Sequence, residues 1–525
     1  MPRLVPTRVV GELRARLAGP GAERSLARVS CPSGKEHHRE LYRIPFPAPG
    51  PEYTSFVDCD VNVESALLER VFYHEVDGVF TAPTTPDRAV VRTALLGFRH
   101  ALKRHASPLT PVSLQDFPER YYGGQRLKVY RQAVDRVAIT GPLRKDSYVA
   151  TFLKHEKIPL LKKRAVPRVI QPRTPRYNAC VGRYLRPLEH ILYNDIAKVF
   201  GRPTVMKGYN AAATGALFAS TWSEFARPAA VGLDASRFDQ HVNVTLLEWE
   251  HLVYEMYYPG CEELRRLLSW QLKTLGFVRV PGCRFKYAVR GGRCSGDMNT
   301  ALGNCLIMCA VVYALLAKHG MAGGKRTRVA LFNNGDDCVL MGEERDIALL
   351  TGDVKAHFQA FGLVMKVEEV VRTLEKVSFC QTQPVYDGAA WRMCRDPRCV
   401  LSKDLYVTDR VCAMQHLSTQ LHAIGECGLS LTGGLPVFQE FYSALIAHGR
   451  RGKAVDHNFR ESGFVRLAHG MHEKYRLVTD AARVSFYLAF GIVPDLQCEI
   501  EQLYKSLPPP CLSPVEHGVP WEIPI

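Results

Sequence analysis

No cysteine pair in this chain has C-x-x-C spacing, although the 525 residues include sixteen cysteines. That absence argues against zinc knuckles and ribbons. Several cysteines (Cys305, Cys309, Cys338) fall inside apolar runs, so the set reads as free buried thiols in a reducing compartment rather than a disulfide framework. No stretch reaches the roughly 18 apolar residues of a membrane span. The nearest, Cys305 to Ala317, is shorter, follows Asn304 and reads as a buried helix. The opening MPRLVPTRVVGELRARLAG lacks the apolar centre of a secretory leader. It reads as a basic extension, although its Arg-rich, acid-poor character also suits an organelle-targeting helix. His469 and His472 form an H-x-x-H without an acidic neighbour, a poor metal site. No internal repeat is present.

Acidic residues are the scarcer charge, 52 against 68 Lys+Arg, for a formal net charge of +16. The basic excess points to a polyanionic partner, either nucleic acid or an anionic membrane surface. Hydrophobic residues at 46% and charged residues at 23% are globular proportions, which exclude wholesale disorder and a fibre. The length allows about three domains or one multi-lobed enzyme.

Four stretches carry chemistry. In RVALFNNGDDCVLMG (Arg328 to Gly342) two apolar runs flank a polar centre. Asn334-Gly335 between β-type runs predicts a hairpin, since both residues tolerate positive φ. Asp336 and Asp337 then crowd its tip, where a divalent cation would relieve their repulsion. A solvated turn is the plainer alternative. In AAVGLDASRFDQHV (Ala229 to Val242) a short buried strand ends at Asp234, and Asp239 follows five residues on. Asp234 either joins another strand's turn or caps the next helix. In GGRCSGDMNTALGNCLIMCAVVYALLAKHG a Gly-rich loop with Ser295 and Gly296 feeds a long apolar helix that stops at Lys318, His319 and Gly320. Thr300 and Asn304, at i and i+4, share one face of it. Such a loop lets backbone approach a nucleotide or template, or it is simply a loop before a buried helix. Finally, Lys154 to Arg186 holds ten Lys/Arg against one acid, Glu156. Prolines and tyrosines interrupt it, so it reads as an extended basic strand and loop suited to triphosphate and backbone binding, or as a generic basic surface.

Together, in this order, these stretches resemble motifs F, A, B and C of viral RNA-dependent RNA polymerases, with details similar to the tombusvirus family and its carmovirus-like relatives. The matching strings are FLKHEKI, PRVIQPRTPRYNACVGRYLRPLEH, GLDASRFDQHV, CSGDMNTALGN and FNNGDDCVL. FGLVMKVEEV is similar to motif D, EKVSFCQTQPVYDG to motif E, and WRMCRDP with LSKD to the lead into the thumb.

The resemblance implies an α+β right-hand polymerase of fingers, palm and thumb, with an antiparallel palm sheet and a mostly helical thumb. On it, 1–55 form a basic extension and Pro-rich linker, 56–228 fingers and fingertips, 229–250 the palm strand of motif A, 251–290 a fingers insertion, 291–400 the palm of motifs B to E, and 401–525 the thumb and a Pro-rich tail. It implies two Mg2+ ions, replaceable by Mn2+, on Asp234, Asp336 and Asp337, and Lys366 as general acid for the leaving pyrophosphate. Lys157 and Arg168 match positions that meet the incoming triphosphate. Asp239, Ser295, Thr300 and Asn304 match a network around the ribose 2′-hydroxyl. Lys162, Lys163, Arg164, Arg173 and Gly296 are expected on RNA. The expected partners are an RNA template and nascent strand, rNTPs and a membrane-bound viral replication protein. The expected location is host cytoplasm, peripherally at membrane-associated replication sites. A reverse transcriptase shares the palm but usually carries an aromatic residue where Gly335 stands. A non-enzymatic RNA-binding replication protein leaves the three aspartates unexplained, and an inactive relic does not fit a full set of motif acids.

Overall fold

The computed structural model describes residues 24–30, 40–162, 165–453, 456–460 and 462–508. Nine strands make its two larger sheets: β1 (Arg24–Ser30), β2 (Val149–Leu153), β3 (Val169–Ile170), β4 (Pro228–Ala235), β5 (Lys273–Val280), β6 (Cys283–Arg290), β7 (Ala330–Asn334), β8 (Asp337–Glu343) and β9 (Met365–Val371). One sheet has the order β1-β6-β5-β2-β3, with β5 and β2 parallel. The other is fully antiparallel, in the order β7-β8-β4-β9.

The four-stranded sheet is buried on both faces, which explains why VALF and CVLM read as continuous apolar runs. Side chains alternate between the faces. Val231, Leu233, Leu331, Cys338 and Leu340 point into one core, and Ala230, Phe332, Val339 and Met341 into another. The first core is filled by helices α1 (Pro175–Phe200), α3 (Val244–Tyr257), α4 (Thr300–Lys318) and α5 (Glu344–Gln359). The second joins α2 (Ala211–Trp222), whose Phe218 ring lies 4.1 Å from that of Phe332, to the helices of the C-terminal region.

Local signals set the helix ends. Thr174 caps α1 by accepting from Tyr177 N, Pro175 occupies its first turn, and Gly201 ends it at φ +72°. Helix α4 is apolar all round, as a helix enclosed by protein should be. It is long and apolar enough to cross a membrane, yet 78% of its apolar window is buried inside this chain. Leu306, Ile307, Leu315 and Leu316 are fully enclosed, and truncating any one of them costs about 2–5 kcal/mol. The fourteen described cysteines are all free.

The Pro-rich segment expected as a linker is instead an interior strap. Tyr42 and Arg43 pair with Val407 and Tyr406. Phe46 is fully buried against Phe441 and Tyr504. Tyr53 and Thr54 then pair with Pro159 and Ile158. Ser402 Oγ donates to Pro51 O (2.9 Å), and Tyr53 OH to Cys399 O (2.8 Å). Proline lacks a backbone donor, so burying such a segment leaves few polar groups to satisfy. Aromatic burial supplies the driving force.

Candidate active site

The acids meet at one end of the four-stranded sheet. Asn334 pairs with Asp337, so the two turn residues are Gly335 and Asp336, one position later than the Asn-Gly turn expected. Gly335 takes φ +92°, the only positive φ in the turn, and glycine at the first of two central positions suits a tight hairpin. Asn333 braces it: Nδ2 donates to Gly335 O (2.8 Å) and Oδ1 accepts from Gly335 N (3.2 Å). Asp336 thus sits at the tip and Asp337 begins β8.

Asp337 is directly opposite Asp234 of β4, and Lys366 of β9 is directly opposite Asp234 on its other side. Residues in register share a face with Cβ atoms about 4.5–5.5 Å apart. Asp234 is therefore a sheet residue and not a helix cap. The short helix that follows, Phe238–His241, is preceded instead by Arg237 at φ +49°. Partial desolvation by the protein around the tip, then the Asp337 and Asp239 charges, push Asp336 up to about 6. Partial desolvation with Asp234 and Glu368 also raises Asp337.

A polar network stands beside the acids. Ser295 Oγ donates to Asp239 Oδ2, and Asn304 Nδ2 to Asp239 Oδ1 (2.8 Å). Asn304 Oδ1 accepts from Arg293 Nε (3.1 Å), whose guanidinium forms a fully buried pair with Glu250. Glu250 also accepts from Asn299 Nδ2 and Tyr254 OH, both at 2.7 Å. Gly303 is glycine because a Cβ there would meet Arg293 and Glu250 at 2.3 and 2.4 Å. Thr300 does not join this group: its Oγ1 lies 2.9 Å from Cys294 O and Asp297 O and accepts from Gly296 N, so it shapes the loop. Gly296, at φ +123°, lets the loop lie against Gln171 and Pro172, where Gln171 N donates to Ser295 O (2.7 Å).

The basic stretch divides. Arg168 is gripped by both oxygens of Glu156, its Nε 3.0 Å from each. Those hydrogen bonds raise its pKa against partial burial, and the charges of Asp336 and Asp239 add to the effect. Burial alone would raise Glu156, but Arg168 and Lys154 hold it at about 2. Two expectations need correcting. Arg173, expected on RNA, is buried: it pairs with Asp297 at 2.5 Å, both side chains nearly inaccessible, and donates to Ser147 O. A guanidinium enclosed this way reaches no RNA backbone. Lys157, expected on the triphosphate, turns away from the acids and donates to Lys403 O (3.1 Å), and burial pushes its ammonium down to about 8 despite Asp404 and Asp456. Lys162 is exposed, while Lys163 and Arg164 lie outside the described residues.

Three residues escaped the sequence reading. Lys207 acts on both hairpin acids from a turn far from any motif. Glu368 overlies Gly232, where a Cβ would meet its Oε2 at 2.0 Å, in a β-bulge of β9. Glu250 pairs across 43 residues with Arg293. Only Gly232, a glycine within a strand, carried a local signal.

An oxygen-only set of crowded acids, with Asp336 and Asp337 held above their ordinary values, fits a hard divalent cation, which relieves the repulsion. Among the described residues no three ligating side chains already surround a common point. The acids share a sheet edge rather than a closed cage.

Comparison with known proteins matches residues 28–511 to the family described as viral RNA dependent RNA polymerase. The chain is 43% identical over 448 residues to the RNA-directed RNA polymerase of Tobacco necrosis virus (strain A), covering 85% of this chain and 61% of that protein. It is 42% identical over 453 residues to that of Turnip crinkle virus, covering 85% and 57%. It is 41% identical over 457 residues to that of Maize chlorotic mottle virus, covering 86% and 46%. The chain thus spans about half to three-fifths of the length of these relatives. With the hairpin acids, the Asp239 network and a family match across nearly the whole chain, it belongs to the viral RNA-dependent RNA polymerases.

Proposed function

We propose that this chain copies an RNA template, adding nucleotides from rNTPs to the 3′-hydroxyl of a nascent RNA strand. The observation that carries the reading is the register of Asp234 opposite Asp337 with Asp336 at the adjoining turn. The charges of Asp336 and Asp239 act on Arg168, and the Asp239–Ser295–Asn304 network stands beside the acids. On this reading the four-stranded sheet is the palm, the basic strands before it belong to the fingers, and the C-terminal helices form the thumb.

Asp234 and Asp336 would hold divalent ions, Mg2+ by preference with Mn2+ as substitute, and Asp337 would be a weaker ligand. Bound ions would activate the 3′-oxygen and neutralise charge on the leaving pyrophosphate. Arg168 forks onto phosphate oxygens, exchanging Glu156 for the nucleotide. Asp239 orients Ser295 and Asn304 so that their polar atoms meet the ribose 2′-hydroxyl, and a site built to bond a hydroxyl rejects a nucleotide without it. Lys366 would deliver a proton to the pyrophosphate oxygen as the bond to it breaks. Lys162 and the backbone at Gly296 would touch RNA. A membrane-bound viral replication protein as partner, and peripheral attachment at membrane replication sites in host cytoplasm, complete the proposal.

Primer extension with purified protein, a primed RNA template, each rNTP and Mg2+ tests it. Template-dependent, divalent-dependent incorporation supports the reading. RNA binding without incorporation refutes it and leaves a non-enzymatic RNA-binding protein.

A further inference from the structure

The short helix that carries Asp239, Phe238–His241, is held from two sides. On one, Arg293 N donates to Asp239 O (2.7 Å) and Gly292 N to Val242 O (2.9 Å). On the other lies the segment Glu69–His74, which falls in none of the motif strings. Gln240 is buried and donates from Nε2 to Tyr73 O (2.8 Å). The His241 ring stands edge-on to that of His74, with centroids 4.7 Å apart. Arg237 Nη1 donates to Glu69 O, and its Nη2 lies 3.7 Å from Glu69 Oε2. Three residues of one segment thus grip three residues of the other.

The Glu69 contact depends on an irregular turn. The helix Asp60–Leu67 runs on into a π turn, Leu68–Phe72. There Tyr73 N donates to Leu68 O, five residues back (2.9 Å). In an α-helix it would take Glu69 O, four residues back. The π register leaves that carbonyl open, Glu69 is buried, and a buried carbonyl requires a donor. Arg237 supplies it. Single π turns are rare and concentrate at functional sites. Arg237 is irregular too: at φ +49° it takes the left-handed backbone, which a bulky residue keeps only where its surroundings over-determine it. Its own carbonyl starts the helix, accepting from Gln240 N (2.9 Å) and lying 3.2 Å from His241 Nδ1. One irregularity on each segment therefore meets the other in a single hydrogen bond, two residues before Asp239.

We propose that Arg237 is a positioning residue for ribose selection. Anchored on the carbonyl that the π turn opens, it fixes the start of the helix and so the Asp239 carboxylate that holds Ser295 and Asn304. The inference rests on the ribose reading of that network.

The test uses the full chain as wild type, Arg237→Met, Arg237→Gly and Arg237→Lys, with Asn304→Ala as reference. Single-turnover incorporation of matched rNTP and dNTP is measured on a primed template. Misplacing a reacting group by about 1 Å can cost about a hundredfold, so a helix freed on one side should lose about tenfold in rNTP-over-dNTP preference, all of it in rNTP use. Glycine accepts the left-handed backbone without strain, so Arg237→Gly removes the contact alone and serves if Arg237→Met does not fold. Lysine still donates to Glu69 O, and Arg237→Lys should stay within about threefold of wild type. Gln240→Leu removes a neighbouring anchor of the same helix and should lower the preference in the same direction. A preference equal to wild type in Arg237→Met and Arg237→Gly overturns the inference. Equal losses for rNTP and dNTP overturn it as well, because they mark a residue that only holds the fold. If Asn304→Ala keeps the wild-type preference, it is the ribose reading of the network that fails.

Discussion

Replacing Glu250 by glutamine perturbs the site without touching anything a nucleotide would touch. Glu250 and Arg293 are both fully buried, and the guanidinium nitrogens and both carboxylate oxygens engage one another. Burial alone would lower the Arg293 pKa, and Glu250 is the main group that offsets it, with smaller help from Tyr254 and Asp297. Glutamine keeps the shape but removes the charge, and it offers an amide N–H to a guanidinium that already donates. Breaking a buried pair from one side costs about 3–5 kcal/mol, because the other charge stays buried. Against a total stability of about 5–15 kcal/mol that is a large share. The effect should not stop at stability. Arg293 Nε fixes Asn304 Oδ1, and Asn304 fixes Asp239, so a displaced Arg293 frees the amide that would read the ribose. Glu250→Gln should lower the melting temperature by several degrees and cut rNTP-over-dNTP preference by about tenfold, the equivalent of about 1.4 kcal/mol. The double variant Glu250→Leu, Arg293→Met removes both charges and should recover much of the lost stability, since an apolar pair can replace a buried ion pair, but not the discrimination, because nothing then holds Asn304. The assays are calorimetry and single-turnover incorporation of matched rNTP and dNTP. A melting temperature within about one degree of wild type would refute the buried-pair argument. Full discrimination in the double variant would refute the chain from Arg293 to the ribose.

The remaining expectations concern the acids and Arg168. Asp336→Asn or Asp234→Ala should reduce incorporation to below about a tenth of wild type in Mg2+ with RNA binding retained, and a larger residual rate would remove these residues from ion binding. Asp336 lies above its ordinary carboxylate value in the ion-free protein, so its contribution to stability is fully present below that ordinary value and is lost as pH rises through about 6. Ion-free protein should therefore gain thermal stability on acidification across this window. Asp336→Asn should flatten that gain, and divalent ions at about 100 times their Kd should add about 2.7 kcal/mol on the alkaline side; an Asp336→Asn profile equal to wild type would contradict the assignment. Arg168→Lys should raise the KM for rNTP and slow single-turnover incorporation while leaving template affinity unchanged. The opposite pattern would move Arg168 to the template channel and pass the triphosphate role to another cation, since Lys157 and Arg173 are both engaged elsewhere.

Much of the fold was legible because local rules and the tertiary structure agreed. VALF and CVLM became β7 and β8, and the apolar run after Asn304 became a buried helix ending at Lys318. The strap was misread because proline content mimics a linker. What decides its burial is a set of partners some 350 residues away, such as Tyr406 and Ser402, which no local pattern contains. The hairpin was right in kind and one residue out in register. Asn334 tolerates positive φ, but pairing it with Asp337 keeps the ladder one step longer and leaves the turn to Gly335 and Asp336. That slip matters chemically, because it puts Asp337 in register with Asp234 and leaves Asp336 alone at the tip.

Residue type found the anions of the site far better than its cations, for a physical reason. A carboxylate cluster is costly unless something compensates it, so Asp234, Asp239, Asp336 and Asp337 stood out at strand ends and turns. Arginines and lysines are common on any basic surface, and their spacing says little about where a long flexible side chain ends. Of the basic stretch, Arg168 feels the charge of the acids from its place on Glu156, whereas Arg173 was spent on Asp297 inside the fold and Lys157 on a backbone carbonyl 246 residues away. Lys207, whose charge reaches both hairpin acids, came from outside the stretch altogether. It is there because Asn333, the residue that braces the turn, also pairs with the backbone before Lys207. Counter-charge at this site therefore comes from backbone pairing to the hairpin as well as from the basic stretch, and cations of the first kind are found by tracing what the turn residues bond to.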